Sequence, residues 1–415
     1  LAGCVACLVG PIETRAEEPV ALAADAKPKR VAAVVSAYYH NSHADVIVSQ
    51  LLQTETLDGK GRRPALKLVS LHTDQVPQND VSRKLAREHG VPIFSTVKEA
   101  LTLGGDKLAV DAVLLVAEHG KYPRSETGQI QYPKRRLFEQ VVKVFEDSGR
   151  SAPVFVDKHL ADNWKDAKWI YDASKRLNFP LMAGSSLPVL YRYPPVDLKK
   201  GAKLKEVVAV SYHTLDAYGF HALEMLQSIV ERRRGGETGV KQVRCLVDAE
   251  VWKAEEEGVY SRKLLDKALS RLKRPLRKNQ TLRESVKHPV LFVIDYQDGL
   301  RANVLTLNQA VAEWAIAWET ESRETQSTLF WTQEARPFTH FTHLLRGVER
   351  MFHRGKPSWP PERTLMTSGL LDALLISKRQ GGRMLRTPYL EFSYDSDWTW
   401  VRPPDPPPGR PISGQ

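Results

Sequence analysis

The side chains best suited to chemistry in this chain stand at positions that close apolar runs. Asp157-Lys158-His159 follows Pro153-Val154-Phe155-Val156, a run that reads as a buried strand. Lys158 thus stands at the carboxyl end of a strand, where ligands collect in open parallel sheets. Glu118 and His119 close a second run, 110–116. They are placed either to reach a ligand or to form a structural hydrogen-bonding pair. His221 opens a predicted helix. Its ring suits proton transfer near neutral pH, and capping the helix is the plainer role. The turn Ser36-Ala37-Tyr38-Tyr39-His40-Asn41-Ser42-His43 leads into another helix. Ser36, Asn41 and Ser42 can donate to an anion there, or the turn is simply well packed. Asp74 follows the second strand, where an acid would hold a ribose; a turn or cap role competes.

Strands are expected over 30–36, 66–71, 91–94, 110–116, 153–156 and 181–184. Helices over 42–53, 81–89, 96–103 and 134–147 lie between them, and another runs from Trp164 to Asn178-Phe179-Pro180. A polar insertion, Lys121 to Tyr132, delays the helix at 134, and loops of this kind at strand ends often carry function. From about 187 the pattern changes. Strands 205–212, 240–247, 290–296, 300–307 and 328–331 accompany helices 220–233 and 261–272, with Gln297-Asp298-Gly299 as a hairpin signal. This predicts a mainly antiparallel sheet with helices on one face. Two helices, 339–354 and 363–379, follow. The expected fold class is therefore α/β. A Rossmann-type parallel sheet occupies 28–186, and an α+β domain with a mainly antiparallel open sheet occupies 187–395. Residues 396–415 form a Pro-rich tail.

The 415 residues, 42% hydrophobic and 26% charged, are ordinary for a globular protein of two domains. The net charge of +11 does not read as a nucleic-acid footprint. Its densest groups, Lys134-Arg135-Arg136 and Arg232-Arg233-Arg234, lie on or beside helices and read as solvated faces. Cys4 and Cys7 have no second pair and no nearby histidine cluster, so no metal site is expected. No stretch is long enough to span a membrane. Residues 1–27 are apolar and rich in small residues, like a signal peptide. Leu1-Ala2-Gly3-Cys4 is similar to a bacterial lipoprotein box, which would put a lipid on Cys4. Cleavage near Thr14-Arg15-Ala16 and a leader with no address are the other readings. Export to the periplasm or envelope is the expectation, with a cytoplasmic protein as the alternative.

Taken together, these segments resemble the glucose-fructose oxidoreductase / inositol dehydrogenase / MocA family. Members end a strand in Glu-Lys-Pro; here Asp157-Lys158-His159 keeps the lysine. They carry Asp-x-Gly-x-His before a helix. Gly219 and His221 match it, with Ala217 in the Asp position and Asp216 one residue early. Gly355-Lys356-Pro357 and the helix after Pro361-Glu362-Arg363 are similar to the family's closing segment. The G-x-G-x-x-G of the nucleotide turn is absent.

The resemblance implies an NAD- or NADP-dependent oxidoreductase acting on a sugar, polyol or related carbohydrate. In it Lys158 orients or polarises the reacting oxygen and His221 exchanges its proton. Asp157, His159, Asp216 and Tyr218 would lie near the substrate. Ser36, Tyr38, His40, Asn41, Ser42, Asp74, Glu118 and His119 would lie near the cofactor. A homo-oligomer formed through an exposed face of the second sheet is also implied. Because the turn lacks glycine, a relative that binds a carbohydrate-like ligand without hydride transfer is the second expectation. Glycoside cleavage assisted by bound NAD is the third. Tyr38 and Tyr39 filling the groove would weigh against an enzyme. His221→Ala or Lys158→Ala is expected to abolish turnover with little loss of stability.

Overall fold

A computed structural model describes residues 26–274, 280–333 and 335–404. Cys4, Cys7, nearly all of the leader and the last eleven residues lie outside the described residues. The first half alternates as its apolar runs require: β1 (Lys29–Val35), α1 (His43–Leu52), β2 (Leu66–Thr73), α2 (Ser82–His89), β3 (Ile93–Phe94), α3 (Val97–Thr102), β4 (Ala112–Val116), α4 (Lys134–Ser148), β5 (Val154–Asp157), α5 (Trp164–Arg176) and β6 (Leu181–Gly184). The strands pair in parallel in the order β3-β2-β1-β4-β5-β6. The strand order therefore reverses between β1 and β4, the place where such sheets open a crevice.

The second half runs through β7 (Tyr191–Tyr193), β8 (Leu204–Ser211), α6 (Phe220–Val230), β9 (Val240–Val247), α7 (Ala249–Glu256), α8 (Arg262–Leu269), α9 (Leu282–Ser285), β10 (Val290–Tyr296), β11 (Arg301–Thr306), β12 (Trp314–Thr320) and β13 (Thr325–Trp331). It closes with α10 (Thr339–Arg354), α11 (Pro361–Arg379) and β14 (Leu385–Arg386). Eight strands form a sheet ordered β14-β9-β10-β11-β8-β12-β13-β7. All its pairings are antiparallel except β8 with β11.

One expectation is corrected here. Helices cover both faces of this second sheet. Val207 and Ala209 of β8 pack with α6 and α11, while Val208 and Val210 pack against α7 and α8. An unbroken apolar run, Val207-Val208-Ala209-Val210, is the mark of a strand buried on both sides. Among the described residues, β8 therefore offers no bare face of the kind first expected to take a second copy. Residues 396–404, expected as part of a tail, also pack onto the body: the Trp400 indole donates to Leu190 O at 2.8 Å.

The last two helices return to the first sheet. Phe341, Leu344, Val348 and Met351 of α10 share a core with α1 and with Leu114, Phe155 and Met182. Leu365 of α11 joins the core on the other face, beneath α4 and α5. The two halves thus meet along a long seam, with the ends of β1, β4, β5 and β6 facing the start of α6.

Candidate functional site

Lys158 leaves β5 with a φ of 56°, a left-handed conformation that costs a non-glycine residue about 1 kcal/mol or more. Its backbone N–H donates to Gly184 O at 3.1 Å. This twist turns the ammonium toward Glu118 Oε2, 2.8 Å away. Lys134, at the start of α4, pairs with the other oxygen of Glu118. Its ammonium also donates to Asp157 O at 2.8 Å and to His159 O at 2.7 Å. All three charged groups are buried. Burial would push the Glu118 carboxyl up, but the Lys134 and Lys158 charges and His159 hold it well below its usual range. Burial would lower the Lys158 ammonium, and Glu118 raises it instead. The site floor is thus a fixed carboxylate between two fixed ammoniums.

His221 approaches from the other domain. The segment Leu215–Gly219 forms one π-helical turn that runs directly into α6. His221 Nδ1 lies 2.6 Å from Ser185 Oγ, and the Leu187 N–H donates to that same oxygen at 3.0 Å. Among the described residues the Ser185 hydroxyl has no other acceptor, so its proton goes to Nδ1, which leaves the His221 proton on Nε2. Burial, followed by the Lys158 charge, depresses the His221 pKa well below 6.5. The ring is therefore a neutral donor. Ser185→Ala should release this restraint. Nitrogen NMR of the His221 ring is then expected to move from the Nε2–H form to a tautomer mixture, with about 1 kcal/mol lost in stability. An unchanged ring spectrum would sink the assignment.

Asp216 and His159 face the same space, with Asp216 Oδ1 and His159 Nε2 3.8 Å apart. The other Asp216 oxygen accepts from the Ile130 N–H at 2.9 Å, so the 121–132 insertion reaches across to the second domain. Tyr132, at the end of that insertion, is also close. Burial, then the charges of Glu118 and Asp216, raise its phenol pKa. Among the described residues, His119 Nε2, His159 Nε2 and Asp216 Oδ1 are buried without a hydrogen-bond partner. Tyr218 lies farther out, stacked on Trp314 at 5.3 Å. Asp157 turns away and holds His43 Nδ1 at 2.6 Å. Among the described residues no group of three His, Cys, Asp or Glu side chains could hold a metal ion.

The residues at the β1–α1 turn do not fit a dinucleotide in the usual place. A pyrophosphate needs free backbone N–H groups and an uncrowded turn. Here Ser42 caps the Asp45 N–H at 3.2 Å, and the Asn41 N–H donates to the Asp45 carboxylate at 2.9 Å. Arg336 pairs with that carboxylate at 2.6 Å, so the helix start already holds its anion. The Tyr39 hydroxyl meets His119 Nδ1 at 2.8 Å, bridging β1 and β4 across the crevice. Ser36 Oγ is bound to the His119 backbone carbonyl at 2.6 Å. At the end of β2, Asp74 is engaged by Tyr122 and Arg136, each at 2.7 Å.

Several sequence assignments are corrected by this geometry. Tyr38 does not line the crevice: it is fully buried beneath α1, with its hydroxyl 2.7 Å from Ser49 Oγ. His40 points to solvent, 3.7 Å from Asp45. Lys134, Arg232 and Arg233 are not solvated faces but buried. Lys134, Ser185, Tyr132 and Arg336 were not singled out for the site. Lys134 offered one signal: a lysine in the first turn of a helix opposes the helix dipole, and a buried anion explains its place.

No family model matches the sequence, and no curated protein matches it. Solved structures do. GenD2 from gentamicin A biosynthesis, in complex with NAD, superposes with a TM-score of 0.56 at 14% identity, over 87% of this chain and 97% of that one. The myo-inositol 2-dehydrogenase from Lactobacillus plantarum gives 0.52 at 11% identity, over 87% and 99%. The apo scyllo-inositol dehydrogenase from Lactobacillus casei gives 0.53 at 11%, over 87% and 98%. At such identities the likeness is one of fold. This chain has the two-domain dehydrogenase fold that its resemblance to the glucose-fructose oxidoreductase / inositol dehydrogenase / MocA family implied.

Proposed function

We propose that this protein binds a sugar, polyol or related polyhydroxylated molecule in the cleft between its domains, without a dinucleotide in the usual cradle. The observation that carries the reading is the set of buried polar atoms left without hydrogen-bond partners on His119, His159 and Asp216. Each such atom costs about 1–3 kcal/mol when left unsatisfied. A ligand with several adjacent hydroxyls supplies donors and acceptors together. His221 Nε2–H donates to one ligand oxygen, and the Lys158 ammonium stabilises negative charge on another.

NAD(P)-dependent oxidation of such a ligand is the second reading. It is favoured by the approach of Lys158 and His221 from separate domains, close enough for one charge to depress the other's pKa. GenD2, which shares the fold, was solved with NAD. This reading requires Tyr39 and Arg336 to leave the places described above. NAD-assisted glycoside cleavage needs the same cofactor and falls with it.

Two measurements decide between them. Protein purified from its expression host is denatured, and the supernatant is examined for nucleotides by mass spectrometry. NAD(H), NADP(H) and a panel of inositols, aldoses and aldonic acids are then titrated calorimetrically up to about 1 mM. The expected result is no nucleotide, and a polyol that binds the wild type and binds Asp216→Ala at least about tenfold more weakly. Stoichiometric nucleotide would replace this reading with the second. Polyol binding that ignores Asp216→Ala would remove the cleft as the site.

A further inference from the structure

A cavity of about 700 Å³ lies away from the cleft, between the carboxyl half of α10, the 355–361 turn and the 395–404 strap. This is within the ~300–1,000 Å³ typical of small-molecule sites. Arg346, Arg350 and Arg354 stand along one face of α10 at four-residue spacing and all line it, joined by Lys356. Their states differ. Arg346 is engaged by Glu55, at 3.0 and 2.7 Å. The neighbouring carboxylate, Glu349, is taken by Arg62 at 3.2 Å. Arg350 is half-buried and, among the described residues, its guanidinium has no hydrogen bond or ion pair. Burial, with the Arg354 and Arg346 charges, lowers its pKa.

The rest of the wall is aromatic. Trp359, Trp398 and Trp400 line the same space. Trp359 is fixed by donating to Ala183 O at 2.7 Å. Asp395 and Asp397 are the acidic residues of the lining, and Asp397 is paired with Lys200 at 3.2 Å. The cavity therefore joins an excess of fixed positive charge, one arginine of it uncompensated, to flat apolar surface. Leaving a half-buried cation unpaired is unfavourable, and a guanidinium accepts carboxylate or phosphate oxygens two at a time.

We propose that this cavity is a second binding site, for a small organic anion whose carboxylate or phosphate meets Arg350 and whose flat body lies against the tryptophans. The site shares no residue with the cleft, so it stands whatever the cleft binds.

The test is calorimetric titration of the full chain with phenyl phosphate, benzoate, phenol and inorganic phosphate at two salt concentrations. Phenyl phosphate or benzoate should bind at least about tenfold more tightly than phenol and than inorganic phosphate, and more weakly in high salt. Whichever aromatic anion binds better identifies the anionic group. Arg350→Gln should reduce that affinity by about tenfold or more. Arg354→Glu, at an exposed position on the rim, should do the same without disturbing the fold, as circular dichroism will verify. Equal binding of phenol and the anions, or unchanged affinity in folded Arg354→Glu, overturns the proposal. So does the absence of binding by either aromatic anion at about 10 mM.

Discussion

Acidification from about pH 6.5 to about pH 5 should cost this protein about 4 kcal/mol of stability or more, before most of its carboxylates titrate. The cause is a set of histidines held neutral. Burial first, then neighbouring positive charge, pushes His119, His340 and His343 down to about 3. His221 is driven in the same direction. Each folded pKa lies below the ordinary value of 6.5, so the unfolded chain binds the proton more readily. Stability is complete above pH 6.5 and is lost as pH falls toward the folded values. Each fully buried ring contributes about 1.4 kcal/mol per pH unit. His340 and His343 alone therefore remove about 3 kcal/mol per unit, against a total of about 5–15 kcal/mol for a typical domain. His119 and His221 add smaller amounts, because each is partly exposed. Urea midpoints measured at several pH values between 5 and 8 should fall steeply below 6.5. The double variant His340→Phe, His343→Leu should flatten that slope. A midpoint that stays level across the range would rule the mechanism out.

Glu118→Gln is the second change with a large expected effect. It leaves the ammoniums of Lys134 and Lys158, 1% and 8% exposed, without their shared counter-charge. Removing one partner of a buried ion network costs about 3–5 kcal/mol, and polyol binding in the cleft should disappear with it. The double variant Glu118→Gln, Lys158→Met should regain part of the lost stability, because it also removes one stranded cation. Additive losses in the double variant would show that the two groups do not interact. The expectation that Lys158→Ala is neutral for stability is corrected by the same geometry. Its ammonium lies inside the protein, and its removal strands Glu118 beside a single lysine.

Much of the fold was legible because apolar runs of the right length carry it. β9 and β10 were bounded correctly from their runs alone, and Ser42 caps α1 as its position before an apolar face suggests. β7, α7, α9 and β14 were missed. Tyr191–Tyr193 and Leu385–Arg386 are too short for any periodicity to register, and they are strands only because β13 and β9 supply their partners. The candidate site was legible only as Lys158, Glu118, His159, Asp216 and His221 standing at element ends, and the fold brings these residues near one another. The turn was legible only as glycine-free. That Tyr38 turns into the core while Tyr39 crosses to His119 depends on Ser49 and on β4, which local sequence does not contain. Arg336 reaches Asp45 from 291 positions away, and Ser185 meets His221 only after two domains close.

The return of α10 to the first sheet has a consequence for synthesis. β1 through β6 leave the ribosome long before residues 339–359, yet Phe155 and Met182 are covered by that later helix. The first domain must therefore wait, with one sheet face incomplete, until nearly the whole chain has been made. Domain-by-domain folding during translation is closed to this protein. Its nascent amino-terminal half keeps that apolar face uncovered until α10 emerges, and a chain that stops before α10 cannot complete this core.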